Sequence, residues 1–450
     1  MSIICEDLSR VKLAEKLRSL VAVKAASFSS FLIKKLNVGQ GGTLPGRVLM
    51  AIDPHSMTYL SKGVHSLVVS GTNGKTTTTA MVSHILRSYQ TFSNITGANM
   101  DFAIAFALSQ RASKVGANSV DPSSKELKLG VFEVDEAYLQ GVSIAIRPEV
   151  IVLLNLSRDQ LDRNSEVRMV ARRWRDFFED NGDLRVVANC DDPLVTFAAF
   201  GSSNPIFVAS GSNWSLDASS CPLCEAKIRF DPEGWRCTSC DFKRPEPTWK
   251  ISAGGDVFYE EEYLGCVDLS IPGEFNLGNA LLALAGTSTL LNSVGERLDM
   301  KESLESLSQF SGSGGRFATS VLDRADGATV KTYLAKNPAG WDALISTVLS
   351  SNVGSTLVMG LNANIADGTD TSWIWDVHFE LLASKFQEVV VVGSRRYDLA
   401  VRLSYAGITP VLAEGTQLQV LNNPKVGGGI EFTYIGNYTA FFELQRELVK

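Results

Sequence analysis

The chain has 450 residues, 42 basic and 49 acidic, a net charge of −7 and 45% hydrophobic content. This length is enough for two or three domains, and the composition excludes a mostly disordered chain. The acidic balance excludes a global basic field drawing the protein onto nucleic acid or anionic lipid. The best candidate for a membrane span, Ala280–Leu291, is too short and carries Thr and Ser, so it reads as a core helix.

In chain order, residues 1–37 read as an amphipathic helix. Glu6, Asp7, Lys12, Glu15, Lys16 and Arg18 interrupt every apolar run, which argues against a signal peptide. From His65 to about Ser210, apolar β-forming runs alternate with helical spacing. Ser66–Ser70, Leu129–Val134, Val150–Asn155 and Arg185–Asn189 are expected as buried parallel strands, with helices over Thr76–Tyr89 and Glu166–Glu179. That alternation predicts a doubly wound α/β domain. Residues 218–245 interrupt it with two cysteine pairs, and a β-rich piece, Val257–Ser270, leads into a helix at Asn276–Leu291. Ser311–Gly315 is the clearest linker. Beyond it strands are expected at Ser355–Gly360 and Glu388–Gly393, with helices at Trp341–Leu349 and Arg396–Ala406. The expected division is a central domain at 38–316 carrying an insertion at 218–245, and a smaller α/β domain at 317–450.

The run Leu67-Val-Val-Ser70 leads directly into Gly71-Thr72-Asn73-Gly74-Lys75-Thr76-Thr77 and a helix. Strand, glycine loop and helix are the context in which backbone N–H groups cradle phosphate. Lys75 would then reach the β/γ-phosphates and Thr76 would offer its hydroxyl to Mg²⁺. Val69 stands where the generic loop has its first glycine. The bland alternative is a tight strand-to-helix turn.

Cys221-Pro-Leu-Cys224 and Cys237-Thr-Ser-Cys240, twelve residues apart, have zinc-ribbon spacing. Four thiolates close a tetrahedral sphere, so the expected ion is a structural Zn²⁺ with no open catalytic position. Four committed and three scattered cysteines (Cys5, Cys190, Cys266) also argue for a reducing, cytoplasmic setting over a disulfide framework.

The loop Gly71–Thr76 resembles that of the Mur ligases and folylpolyglutamate synthetases. Gly97-Ala-Asn-Met100, Glu133-Val-Asp-Glu136, Asn189-Cys-Asp-Asp-Pro193 and Pro272–Asn279 extend the match in order. The resemblance implies an α/β, Mur ligase-like P-loop ATPase domain with an inserted four-cysteine zinc ribbon, followed by the smaller C-terminal α/β domain. It implies ATP and Mg²⁺, and an acyl phosphate displaced by an amine. It places Mg²⁺ on Thr76 and Glu133, the adenine side of ATP near Asn276 and Asn279, and Arg316 on the γ-phosphate. The bland readings are a surface carboxylate for Glu133, helix capping for the asparagines and an interdomain salt bridge for Arg316. Gln160 and Lys336 stand where amino-acid-adding Mur ligases carry histidines, which argues for a different nucleophile.

Lys336-Asn-Pro-Ala-Gly340 and Asp370-Thr-Ser-Trp373, with the ribbon and the core, closely resemble the MurT family, the ligase subunits of lipid II isoglutaminyl synthases. The resemblance implies amidation of the D-glutamate α-carboxyl of the lipid II stem peptide to D-isoglutamine at the inner face of the membrane. It also implies a GatD-like glutaminase partner supplying ammonia, with Asp370 completing that partner's Cys–His pair. The chain independently supports a partner, because none of its uncommitted cysteines sits on a glycine-flanked strand–helix turn suited to a nucleophile. Ala363 stands where the family usually has Asp. The polar residues gathered after the strand ending at Gly360, Asp367 and Asp376 among them, read as lining a site; the bland alternative makes the two aspartates turn or cap residues and packs Trp373 and Trp375 as core. Alternative readings are an amino-acid-adding ligase, or a P-loop ATPase whose ribbon holds nucleic acid through Arg229, Lys243 and Arg244. The acidic charge weighs against the last, so no nucleic-acid partner is expected.

Overall fold

A computed structural model describes residues 18–33, 35, 43–94, 99–115, 125–158, 164–211, 216–312, 317–350, 356–426 and 430–448. The strands are β1 His65–Ser70, β2 Tyr89–Ser93, β3 Lys125–Val134, β4 Val150–Leu153, β5 Arg185–Asn189 and β6 Ile206–Ala209. There follow β7 Ile228–Asp231, β8 Gly234–Cys237, β9 Trp249–Ile251, β10 Asp256–Tyr259 and β11 Glu262–Cys266. The C-terminal set is β12 Phe317–Val321, β13 Thr329–Leu334, β14 Thr356–Gly360, β15 Glu388–Val392, β16 Val411–Leu412 and β17 Glu431–Gly436.

Nine strands form one sheet in the order β11-β10-β9-β6-β5-β4-β1-β3-β2. Pairing is parallel from β2 through to β9 and antiparallel for β9-β10-β11. A strand buried on both faces needs apolar residues on both, and Leu67-Val68-Val69 at the centre of β1 supplies them. Val68 joins the core on one face with Phe132 and Ile151. Leu67 and Val69 join the other, packed with residues of the helix Glu274–Ser293. That helix carries Ala280–Leu291, the longest apolar run, inside the protein. No helix among the described residues is long and apolar enough to cross a membrane.

A second sheet, β12-β13-β17-β14-β15-β16, is parallel except for the β12–β13 pair. It has apolar clusters on both faces. β7 and β8 form a separate hairpin within the cysteine insertion.

The helix expected over Thr76–Tyr89 spans Lys75–Ile85, and Tyr89–Ser93 instead forms edge strand β2. Tyr89, Thr91 and Phe92 are β-formers, and pairing with β3 overrides the continuing helical spacing. Trp373 is core at 3% exposure, but Trp375 is not: it is half exposed, with the Arg402 guanidinium over its ring. Of the N-terminal helix, residues 18–33 are helical, with Ala22 and Ala26 buried, while residues 1–17 lie outside the described residues.

Candidate active site and metal centre

β1 ends at Ser70 and the following helix starts at Lys75, so Gly71–Gly74 is the loop between them. Gly74 has φ +87°, and a Cβ there would stand 2.6 Å from Asn279 Oδ1. Only glycine fits both the conformation and the approach. The loop is held from one side by the segment after β4. Thr72 N–H donates to the Asn155 carbonyl and Asn73 N–H to Asn155 Oδ1, each at 2.9 Å. Asn155 Nδ2 returns a bond to the Asn73 carbonyl at 2.9 Å, and Ser157 N–H donates to Thr72 Oγ1 at 3.0 Å.

Lys75 is buried, and its ammonium donates to the Gly71 carbonyl, to the Thr72 carbonyl at 3.2 Å and to Glu136 Oε2 at 3.0 Å. Those three bonds use all its donors. Burial pushes the Glu136 carboxyl up from its ordinary range, and the Lys75 charge opposes that shift. The sequence places Glu136 in a motif but gives no sign that it pairs with the loop lysine, because the pairing depends on how the turn after β3 folds. Thr76 and Thr77 are half-buried on the first helical turn.

Glu133 lies near the end of β3, opposite Val69, and is 8% exposed. Asn94 locks its backbone with two bonds of 2.9 and 2.7 Å. Asn276 and Asn279, both buried, open the helix Glu274–Ser293, and Asn279 reaches the phosphate loop at Gly74. Asn276 also donates to the Pro272 carbonyl at 2.6 Å; the N-cap is Gly273 with no side-chain cap bond, so neither asparagine caps the helix. Arg316, Gln160 with the rest of Asp159–Asp162, and Gly97-Ala98 lie outside the described residues.

The second sheet touches this site. Asn337, fully buried just beyond β13, donates to Asn73 Oδ1 at 3.1 Å. Lys336 beside it places its ammonium 4.7 Å from the Tyr438 ring centroid. Asp376 pairs with Arg158 at 3.4 Å, and Arg158 also holds Asp217 at 2.5 Å. Asp376 is thus more than a turn residue. Asp367 accepts from the Thr439 backbone N–H at 2.8 Å and from its hydroxyl, tying the segment after β14 to the first turn of the helix Tyr438–Leu448. Asp370 is exposed and accepts from Ser372 N–H and Oγ, each at 2.8 Å. Those bonds hold its carboxyl below the ordinary range, the backbone N–H contributing most.

The four cysteines Cys221, Cys224, Cys237 and Cys240 converge, with all Sγ atoms within 4.8 Å of one another. Cys221–Cys240 and Cys224–Cys237 separations are 3.7 and 3.4 Å. Zn–S bonds of about 2.3 Å in a tetrahedron put sulfurs about 3.8 Å apart, so the cluster fits zinc. Of the nearby basic residues, Arg229 and Arg236 pair with Asp231 and Arg244 with Asp191, while Lys227 and Lys243 are exposed.

Residues 69–287 match the family model of the Mur ligase middle domain, and residues 334–441 match that of the MurT ligase C-terminal domain. The chain is recognised as a MurT-like Mur ligase. It is 29% identical to the MurT subunit of the glutamine-hydrolysing lipid II isoglutaminyl synthase of Staphylococcus aureus strain COL, over 84% of this chain and 86% of that one. The same subunit from Streptococcus pneumoniae R6 is also 29% identical, over 96% of this chain and 97% of that one. Among solved structures, the pseudomurein peptide ligase type C of Methanothermus fervidus aligns with a TM-score of 0.59 at 18% identity, covering 86% of this chain and 79% of that one. The MurT-like chain is therefore an ATP-dependent ligase with a Mur ligase-like α/β fold.

Proposed function

We propose that this chain amidates the α-carboxyl of D-glutamate in the lipid II stem peptide, using ATP and ammonia delivered by a GatD-like glutaminase subunit. The observation that carries the reading is the junction at Asn73. There the phosphate loop of a Mur ligase middle domain meets Asn337 of the MurT-type C-terminal part. Gly71 to Thr77 would hold the phosphates, Asn276 and Asn279 the nucleoside side, and Arg316 the γ-phosphate. Mg²⁺, held by Thr76 and Glu133, would neutralise charge on the β- and γ-oxygens.

The substrate carboxylate attacks the γ-phosphorus and ADP leaves. Ammonia then attacks the acyl carbon, phosphate leaves with the C–O bonding pair, and ammonia's extra proton goes to solvent or phosphate. Lys75 moves from Glu136 towards the phosphates, and its charge stabilises the transferring group. Partner docking would use the C-terminal part. There Tyr397, Val401 and Tyr405 line an exposed face of the helix Arg396–Tyr405 beside half-exposed Trp375, and a contiguous exposed apolar surface marks an interaction site. Asp370, ionised and exposed near that patch in sequence, would orient the partner's histidine. A lipid-linked substrate would bring the complex to the inner face of the membrane.

The test supplies lipid II, Mg·ATP and either ammonium, glutamate or glutamine plus the partner. Amidated product with ammonium, and with glutamine only when the partner is present, is expected. Incorporation of glutamate would replace this reading with an amino-acid-adding ligase.

A further inference from the structure

The cysteine hairpin does not stand free of the body. Trp235 in β8, 3% exposed, donates its indole N–H to the Cys190 carbonyl at 2.8 Å. Arg244, just past the last cysteine of the cluster, holds Asp191 Oδ1 through Nε at 2.8 Å and a terminal nitrogen at 2.7 Å. Both contacts end on Cys190-Asp191-Asp192, the loop that follows β5.

Two routes lead from that loop to the phosphate loop. Asp192 accepts from Leu156 N–H at 2.7 Å. Leu156 lies between Asn155 and Ser157, the two residues bonded to Thr72 and Asn73. Asp191 Oδ2, meanwhile, accepts from Gly211 N–H at 2.8 Å and Ser210 Oγ at 3.3 Å. The Ser210 carbonyl packs so closely on the helix Glu274–Ser293 that a Cβ on Gly278 would lie 2.4 Å from it. The next residue, Asn279, is the one against Gly74.

We propose that Trp235 and Arg244 are positioning residues for the nucleotide site. The metal-filled ribbon clamps the Cys190–Asp192 loop, and occupancy of the four-cysteine site thereby sets nucleotide affinity. The inference rests on the nucleotide-site reading above. The ribbon is built on two four-residue strands, and its buried residues Ile228, Trp235 and Phe242 pack on the core of the body with no separate core of their own, so the hairpin's internal order depends on the metal. Without metal, both contacts are released together. Each route passes through backbone N–H or carbonyl groups that shape the loop, so release lowers affinity without touching the groups that face phosphate.

The experiment uses the full zinc-loaded chain and Arg244→Met, Trp235→Phe and Arg244→Lys variants. Zinc content, melting temperature, the Kd for Mg·ATP, and KM for ATP against kcat in amidation are measured. Arg244→Met and Trp235→Phe should keep their zinc, stay folded and melt only moderately lower, since each loses a buried contact. Kd and KM should rise about tenfold in Arg244→Met, the scale of one lost charge-assisted hydrogen bond, and severalfold in Trp235→Phe, which loses a neutral one, with kcat within about twofold. Arg244→Lys should recover most of the affinity. Chelating zinc from the wild-type chain should give the same loss and add little to Arg244→Met, because both release one loop. Unchanged ATP affinity in both variants, or full additivity with chelation, overturns the inference. Failure of the wild-type chain to bind ATP at all would instead remove the nucleotide-site reading beneath it.

Discussion

Replacing Glu136 with glutamine separates what the buried pair does for the resting loop from what Lys75 does for nucleotide. In the structure the lysine spends all three donors on Gly71, Thr72 and Glu136. To reach a phosphate oxygen it must give one up. If that one is Glu136, the bond broken is charge-assisted, at 3.0 Å between side chains 10% and 16% exposed. In Glu136→Gln the amide oxygen still accepts, but without the charge. Charge-assisted bonds are worth roughly twice neutral ones, a difference of about 1.5 kcal/mol, so Mg·ATP should bind the variant about tenfold more tightly. The nucleotide-free variant should also melt lower, since removing one member of a buried pair leaves the other uncompensated. The nucleotide-induced rise in melting temperature should therefore be larger than in the wild type. Titration calorimetry and thermal shift at neutral pH measure both. The pH dependence has a definite sign. Burial raises the Glu136 pKa, so on acidification it takes a proton earlier than a free glutamate, and the wild-type affinity should converge on that of the variant from the acid side. Equal or weaker ATP binding by Glu136→Gln would refute the exchange and place Glu136 beside Lys75 in the bound state as well.

Metal analysis should find about one zinc per chain, and Cys237→Ser should release it and lower solubility or melting temperature; iron, or no metal, would defeat the assignment. Asp370→Asn should cripple glutamine-driven amidation in the presence of the partner, because the amide favours the wrong imidazole tautomer, while high ammonium restores product. Equal losses with both nitrogen sources would leave Asp370 as a turn residue, the role its two bonds to Ser372 already describe.

What the sequence made legible is local or repetitive. β1 and β5 fall where the apolar β-forming runs put them, because a strand buried on both faces has no polar alternation to confuse with a helix. The loop between β1 and the helix Lys75–Ile85 was legible because its glycines and Lys75 are close together in sequence. The cysteine cluster was legible because two-residue spacing in a turn brings thiolates together whatever the surrounding fold. Strand β2 was missed for the opposite reason: a five-residue edge strand with a half-buried face carries little signal beside a preceding helix.

The contacts that shape the site were not legible, because each joins segments brought together only by the folded sheet. Glu136 meets Lys75 across 61 residues, Asn337 meets Asn73 across 264, and Arg244 meets Asp191 across 53. Arg244 shows how an isolated residue misleads. As sequence, Lys243-Arg244 suggests a small basic patch that could hold nucleic acid. In the fold the Arg244 side chain is 20% exposed and its charge is taken up by Asp191. Asp192 shows the converse. In the fold it caps the helix Pro193–Ala199, accepting from Leu194 and Val195 N–H. Its second oxygen also takes Leu156 N–H, and burial pushes its pKa up to about 6 despite three backbone donors. A carboxylate kept buried at such an electrostatic cost does more than end a helix. It ties the strand-end segments that carry Asn155 and the Cys190 loop to each other, and so fixes the platform on which the phosphate loop rests.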